Sequence, residues 1–253
     1  IETALDDIAE YLKLDPAEVR AVNFYGGKPG RDRTPYGQTF EDDDNPLSEL
    51  WHDLKASSDY GSRRQGIENF NAQSPIYKRG IAMQAVKFGI SFTTSFLNQA
   101  GALVLVYADG SVQVNHGGVE MGQGLHAKII NVVVRELGVR RDQIRMMRTS
   151  TDKVPNTSAP AASSGSDLNG FAVARACIRI RGMMAEVAER ILGGPADQMV
   201  FRDGAVRSDN GESMPFRELA NRCRLEQISL SSTGFYATPD IAYDRDAGRG
   251  RPF

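Results

Sequence analysis

Ser111-Val112-Gln113-Val114-Asn115-His116-Gly117-Gly118-Val119-Glu120-Met121-Gly122-Gln123-Gly124-Leu125-His126 is the stretch on which the fold turns. Its first five residues alternate apolar and polar, as a half-buried strand does. Lys128 to Leu137 then carries apolar residues at helical spacing. Four glycines lie between the strand and the helix. Glycine adopts positive φ freely and lets backbone N–H groups approach a ligand. A helix starting just beyond adds unpaired N–H donors and the positive end of its dipole. The stretch reads as a seat for a phosphate or another anion. It is no Walker A loop, and Ala127 stands where the third glycine of G-x-G-x-x-G would follow Gly122 and Gly124. A β–α turn whose glycines serve only packing is the alternative reading.

Towards the N-terminus, Ala102–Val106 and Val112–Val114 flank Asp109-Gly110, the signature of a tight β-hairpin. Before it, Arg79 to Thr93 reads as one or two strands, with Ile81, Met83, Val86, Phe88, Ile90 and Phe92 apolar. Towards the C-terminus, the helix Leu125–Gly138 stops at a glycine suited to a left-handed cap. A strand over Gln143–Thr149 follows. Next comes a loop of small residues, Val154-Pro155-Asn156-Thr157-Ser158-Ala159-Pro160-Ala161-Ala162-Ser163-Ser164-Gly165-Ser166-Asp167. It feeds a long helix, about Asp167–Leu192, with Ser166 or Asp167 as the expected N-cap. A flexible Ser/Ala linker is the alternative. Two small-residue loops that each lead into a helix N-terminus suit one extended polyanion. Val200–Arg207 is a second Asp-Gly hairpin, then come a helix over Pro215–Arg222, a strand over Ile228–Phe235 and a polar tail.

The N-terminal part reads as helices: 2–12 with Leu5, Ile8, Ala9 and Leu12 on one side, Ala17–Phe24 opened by Asp15-Pro16, Pro46–Ser57 and Tyr60–Ala72. Leu47, Leu50, Trp51 and Leu54 form the expected buried stripe of the third. Arg63-Arg64 reads as a wet helix face. Residues 25–44 are polar, and their acidic run Glu41-Asp42-Asp43-Asp44 reads as solvated rather than metal-binding. Strands mixed with helices, with hairpin connections, predict an α+β fold, helical over 1–76 and mixed over 77–253.

The chain has 253 residues, 41% hydrophobic and 25% charged, which is ordinary globular composition. A net charge of −2 leaves no nucleic-acid footprint. No apolar run has the length of a transmembrane helix. Two scattered cysteines, Cys177 and Cys223, suit a reducing cytoplasm and show no iron–sulfur or zinc spacing. The chain opens without Met inside an expected helix and stops at Pro252-Phe253, so it reads as a piece of something longer.

Four blocks in order, "KFGISFTTSFLNQAGALVLVYADGSV", "HGGVEMGQGLHAKIINVV", "VPNTSAPAASSGSDLNG" and "SLSSTGFYATPD", resemble the molybdenum-binding subunit or domain of the xanthine dehydrogenases, within the molybdenum hydroxylases. The resemblance covers roughly Tyr77 to Phe253. It implies a molybdenum–molybdopterin cofactor, with Met121, Gly122, Gln123 and Gly124 along the pterin and its phosphate. Ala161, Ala162 and Ser163 match the second cofactor loop, and Ala162 matches the residue whose backbone lies closest to the metal. Phe92 and Thr93 match the pair beside the purine substrate. Pro160 stands where the animal enzymes have Thr, which removes a hydroxyl and an N–H there. His116 and His126 read as packing or capping residues, and Glu120 as a residue that can orient backbone. The family's catalytic Glu, in Gly-Glu-Pro-Pro, and its Phe-Arg-Gly-Phe-Gly-Gly motif do not occur in this chain. The resemblance therefore implies an oxidoreductase whose remaining molybdenum domain, iron–sulfur centres and FAD lie on other domains or subunits, its partners in an oligomer, and a chain inactive alone. An aldehyde oxidase-type hydroxylase and a non-catalytic cofactor-holding module are the rival readings.

Overall fold

A computed structural model gives the fold and describes residues 1–26, 33–34, 45–86, 88–154 and 157–251. The acidic run 41–44 lies outside the described residues. The chain divides into two compact units, one over Ile1–Phe88 with Asp244–Gly250 and one over Gly89–Tyr243.

The first unit is helical: α1 (Glu2–Leu12), α2 (Pro16–Val22), α3 (Leu47–Ser57) and α4 (Tyr60–Gln73). Asp15 caps α2 as its position before Pro16 predicts, accepting the Ala17 N–H at 2.8 Å. The same oxygen accepts the Tyr60 hydroxyl at 2.9 Å. Buried Arg20 ties α2 to α1 through Glu2 at 2.8 Å and Asp6 at 2.9 Å. The small core holds Ala17, Trp51, Tyr60 and Met83, with Phe24 edge-on to Trp51 at 5.0 Å. The expected stripe of α3 is only partly realised: Trp51 is buried, whereas Leu50 and Leu54 are exposed. Likewise Ala9 alone is buried on α1.

The expected strands over Arg79–Thr93 do not form among the described residues. The alternation is real, since Ile81, Met83 and Ala85 turn to the Trp51/Tyr60 core while Ala82, Gln84 and Val86 face out. No neighbouring strand pairs with it in the described residues, so period-2 burial here marks an extended arm. The arm starts on Asn71, whose side-chain amide bonds both the N–H and the C=O of Arg79 at 2.8 and 2.9 Å.

The second unit is α+β. Its main sheet has the order β3-β2-β1-β7. β1 (Gln99–Val106) and β2 (Val112–His116) form the Asp109-Gly110 hairpin, with Val104 opposite Val114. α5 (Leu125–Leu137) carries the chain to β3 (Ile144–Met146), which runs parallel to β2. Gly138 closes α5 at φ 67, as expected of a left-handed cap. α6 (Gly165–Leu192) then crosses the sheet and lies with α5 on its apolar face. Ala102 and Val104 of β1, Val112 and Val114 of β2, Ile129 and Val133 of α5 and Ala172 and Ile180 of α6 share one core.

α6 starts at Gly165, ahead of the expected Asp167, and Ser164 precedes it without a side-chain cap bond. The Ser164 hydroxyl donates instead to the Ala161 carbonyl at 3.1 Å. Asp167 lies inside the first turn, where burial raises its carboxyl above the usual range.

β4 (Val200–Arg202), β5 (Ala205–Arg207) and β6 (Ser213–Pro215) make a three-stranded antiparallel sheet, the first hairpin turning at Asp203-Gly204 as read from sequence. α7 (Phe216–Leu225) follows, then β7 (Ser231–Ala237), antiparallel to β1. The polar tail contains two short strands, β8 (Ala242–Asp244) and β9 (Arg249–Arg251), as a separate ribbon. Cys177 and Cys223 are free and buried, and burial pushes their thiols up to about 12 and about 11. Among the described residues no helix is long and apolar enough to cross a membrane.

Candidate functional site

Three loops of the second unit make the candidate site. The glycine loop leaves β2 at His116. Its root is tightly held: the Gly118 N–H donates to His116 Nδ1 and to Asn169 Oδ1 of α6, both at 3.1 Å. The Gly118 carbonyl accepts the Thr149 hydroxyl at 2.8 Å. Gly117 must be glycine, because a Cβ there would lie 2.1 Å from Thr157 Oγ1. The root thus sits against Thr157 of the small-residue loop and against the first turn of α6.

The tip behaves differently from the expected anion seat. Glu120 reaches back to the start of α5. Its Oε1 accepts the N–H groups of Gly122 at 2.9 Å and Gly124 at 3.0 Å, and its Oε2 that of His126 at 3.0 Å. These bonds, led by the one from His126, hold the carboxyl down to about 2. Gln123 is also turned inward, donating to the Val119 carbonyl at 2.9 Å and accepting the Met121 N–H at 2.6 Å. The N–H groups read as aimed at an external anion are therefore taken up in part by the loop's own carboxylate. Met121, Gly122 and Gln123 remain exposed, and a Cβ at Gly122 or Gly124 would meet none of the described residues within 4 Å.

His116 is 3% exposed and stands edge-on to His126, with ring centroids 5.4 Å apart. Since Nδ1 accepts the Gly118 N–H, a neutral His116 carries its proton on Nε2. Nε2 of both rings is buried without a hydrogen-bond partner among the described residues. Burial, helped by His126, pushes His116 down to about 4. The unfolded chain takes up this proton near the ordinary value of about 6.5, so the fold keeps its full stability above that pH and loses it as pH falls towards 4. The expected loss by pH 4 is on the order of 3 kcal/mol. Denaturant midpoints across pH 7 to 4 measure it, and His116→Asn should flatten that slope.

The small-residue loop turns on two consecutive left-handed non-glycine residues, Ala162 at φ 52 and Ser163 at φ 54. Such conformations are held in place by their surroundings and concentrate at functional sites. The Ala162 carbonyl accepts the N–H of Ser91, itself at φ 85, at 2.9 Å. The Ser158 hydroxyl bonds the Leu97 carbonyl. Between these two ties, buried Asn98 closes the third loop by accepting the Phe92 N–H at 2.8 Å and donating to the Phe92 carbonyl at 2.9 Å.

Phe92 and Thr93 follow Ser91 directly, one and two residues from the Ser91–Ala162 bond. Phe92 is half-buried and Thr93 exposed. Sequence reading missed Ser91, Asn98, Thr149 and Asn169, which position the loops. Asn98 left a signal, one of two adjacent amides in the otherwise apolar run Phe96-Leu97-Asn98-Gln99-Ala100. Ser91 Oγ and Thr157 Oγ1 are buried without a partner among the described residues. Bare backbone, small side chains and unpartnered hydroxyls fit a flat, heteroatom-rich organic cofactor.

The family profile described as molybdopterin cofactor-binding domain matches residues 53–253, and the chain belongs to that family. Within it, the chain is 42% identical over 252 residues to a xanthine dehydrogenase of Oryza sativa subsp. japonica, covering 100% of this chain and 17% of that protein. It is 41% identical over 252 residues to a xanthine dehydrogenase/oxidase of Gallus gallus, with the same coverage. The fold matches the crystal structure of quinoline 2-oxidoreductase from Pseudomonas putida 86 with a TM-score of 0.71 at 20% identity, over 99% of this chain and 35% of that one. The chain thus spans about a sixth of the length of these curated relatives.

Proposed function

We propose that the chain is part of the molybdopterin-binding region of a xanthine dehydrogenase, a cytoplasmic oxidoreductase that hydroxylates hypoxanthine and xanthine to urate with oxygen from water. The observation that supports this reading is the Ser91–Ala162 bond, which ties the residue before the Phe92-Thr93 pair to the second small-residue loop. Molybdopterin, when bound, supplies the metal centre at which oxygen transfer and two-electron chemistry take place. Met121–Gly124 would lie along the pterin and Ala161–Ser163 beside the metal, with the Ala162 backbone nearest. Phe92 would pack its ring on the flat purine, and Thr93 would hydrogen-bond it. Gln123, whose amide is bonded within its own loop, would serve the pterin chiefly by fixing the backbone around it. The general base, the iron–sulfur centres, FAD and the NAD site would come from other domains or subunits, so this chain alone is inactive.

The test is made on the assembled protein that carries this chain. Molybdenum and pterin should be present in equal amounts, and xanthine should be oxidised in preference to benzaldehyde. Phe92→Ala should lower kcat/KM for xanthine about tenfold to a hundredfold, the range of one lost aromatic contact with substrate, at unchanged molybdenum content. A protein without molybdenum, or one that oxidises aldehydes and leaves xanthine untouched, would defeat the reading.

A further inference from the structure

The N-terminus of α5 is already occupied by a charge belonging to the chain. Gly122 at φ 100 and Gly124 at φ 76 turn their N–H groups towards one place, and the His126 N–H joins them from the first turn of α5. This is the geometry in which helix starts take up oxyanions. Here the oxyanion is Glu120, bonded by three N–H groups at 2.9–3.0 Å. Among the described residues nothing lies within 4 Å of a Cβ at Gly122 or Gly124, so no packing is seen around these two positions of the tip. The hydrogen bonds of Glu120, with those of Gln123, hold it instead.

We propose that Glu120 is a positioning and specificity residue of the cofactor site. Its carboxylate fills the anion seat of α5, sets the Met121–Gly124 loop before any cofactor arrives, and reserves that loop for an uncharged stretch of the pterin. This rests on the cofactor assignment made above, and deepens it. A second negative group brought to the same N–H groups would meet both an occupied seat and a like charge. The seat stays filled through the ordinary acid range, because the carboxyl is held down to about 2 by backbone donors. Charged hydrogen bonds of this kind are the stronger sort, so losing them should loosen the tip measurably.

Amide hydrogen exchange on the cofactor-free chain provides the first measurement. Glu120→Ala should speed exchange at Gly122, Gly124 and His126 by about tenfold or more, the effect of losing charge-assisted bonds. Glu120→Gln, which keeps an acceptor oxygen without the charge, should fall between the two. Acetate or inorganic phosphate should restore protection in Glu120→Ala and have no effect on wild type. Unchanged exchange in Glu120→Ala, or phosphate protection of the wild-type loop, overturns the inference. If Glu120→Ala does not fold, Glu120→Gln decides: exchange as slow as wild type refutes a role for the charge. In the assembled enzyme, Glu120→Ala should lower molybdenum content about tenfold, and Glu120→Gln should lower it less. A fall in kcat per bound molybdenum with full loading would mean a catalytic role and overturn positioning. A wild-type enzyme that holds no pterin would instead sink the cofactor assignment, and the exchange data would still judge Glu120.

Discussion

On the proposed function, Ala162→Val should empty the cofactor site. In the assembled protein, molybdenum content and the proposed xanthine oxidation are expected to fall together by roughly a hundredfold or more, with the fold retained. Ala162 sits at φ 52, with Ser163 at φ 54 beside it. A left-handed L-residue costs roughly 1–2 kcal/mol, and a β-branched side chain is a genuine outlier there. The loop therefore escapes to negative φ, and that rotation swings the Ala162 carbonyl away from the Ser91 N–H, now at 2.9 Å. With the bond goes one of the two ties that hold Phe92 and Thr93 to this loop. The proposed cofactor loop and the proposed substrate pair thus fail through one rotation. Ala162→Gly tests the cause, because glycine takes positive φ without strain and should keep both ties and the metal. A Val variant that stays fully loaded would show that this backbone does not line the site.

Local chemistry explains which features were legible in the sequence. Asp109-Gly110 and Asp203-Gly204 announce their hairpins because the turn itself demands those residues. Gly138 announces the end of α5 for the same reason. The α+β class follows from such short-range signals. What escaped depends on partners far along the chain. Alternation over 81–86 is fixed by Trp51 and Tyr60 beneath the arm, and sequence reading has no means to see that no described strand lies alongside. Leu50 and Leu54 keep a helical period with nothing described to cover them. In the site, the glycines were visible but their occupant was not, since the reach of Glu120 to Gly124 and His126 is a matter of loop geometry. Ser91 and Asn169 position loops 71 and 51 residues away from their own place in the chain, through Ala162 and Gly118, and no local pattern marks such residues.

Gly234→Ala should destabilise the second unit by about 4 kcal/mol or more, the exceptional range reached when a rigid core is overpacked. The added Cβ would lie 1.9 Å from the Ala172 carbonyl oxygen and 2.9 Å from the Ala176 N. Both are backbone atoms of α6, so no side-chain rotation relieves the clash. Either α6 lifts from the sheet or β7 leaves β1, where Gly234 stands opposite Ala102. Neighbouring bonds resist both movements: Arg175 and Arg179 of α6 donate to the Phe235 and Thr233 carbonyls at 2.8 and 3.1 Å. Phe171 stacks on Tyr236 at 4.6 Å on the same seam. The effect should reach the site, because Asn169 near the start of α6 holds the Gly118 N–H at 3.1 Å. An α6 that lifts takes Asn169 with it and frees the root of the glycine loop. The variant should therefore lose molybdenum as well as stability, although residue 234 belongs to none of the three loops. Gly182→Ala on the exposed side of α6 is the control, with nothing within 4 Å of its Cβ. It should stabilise the helix by roughly 0.5–1 kcal/mol and leave the cofactor in place. Equal denaturant midpoints for Gly234→Ala and wild type would mean that α6 and β7 are not seated this closely.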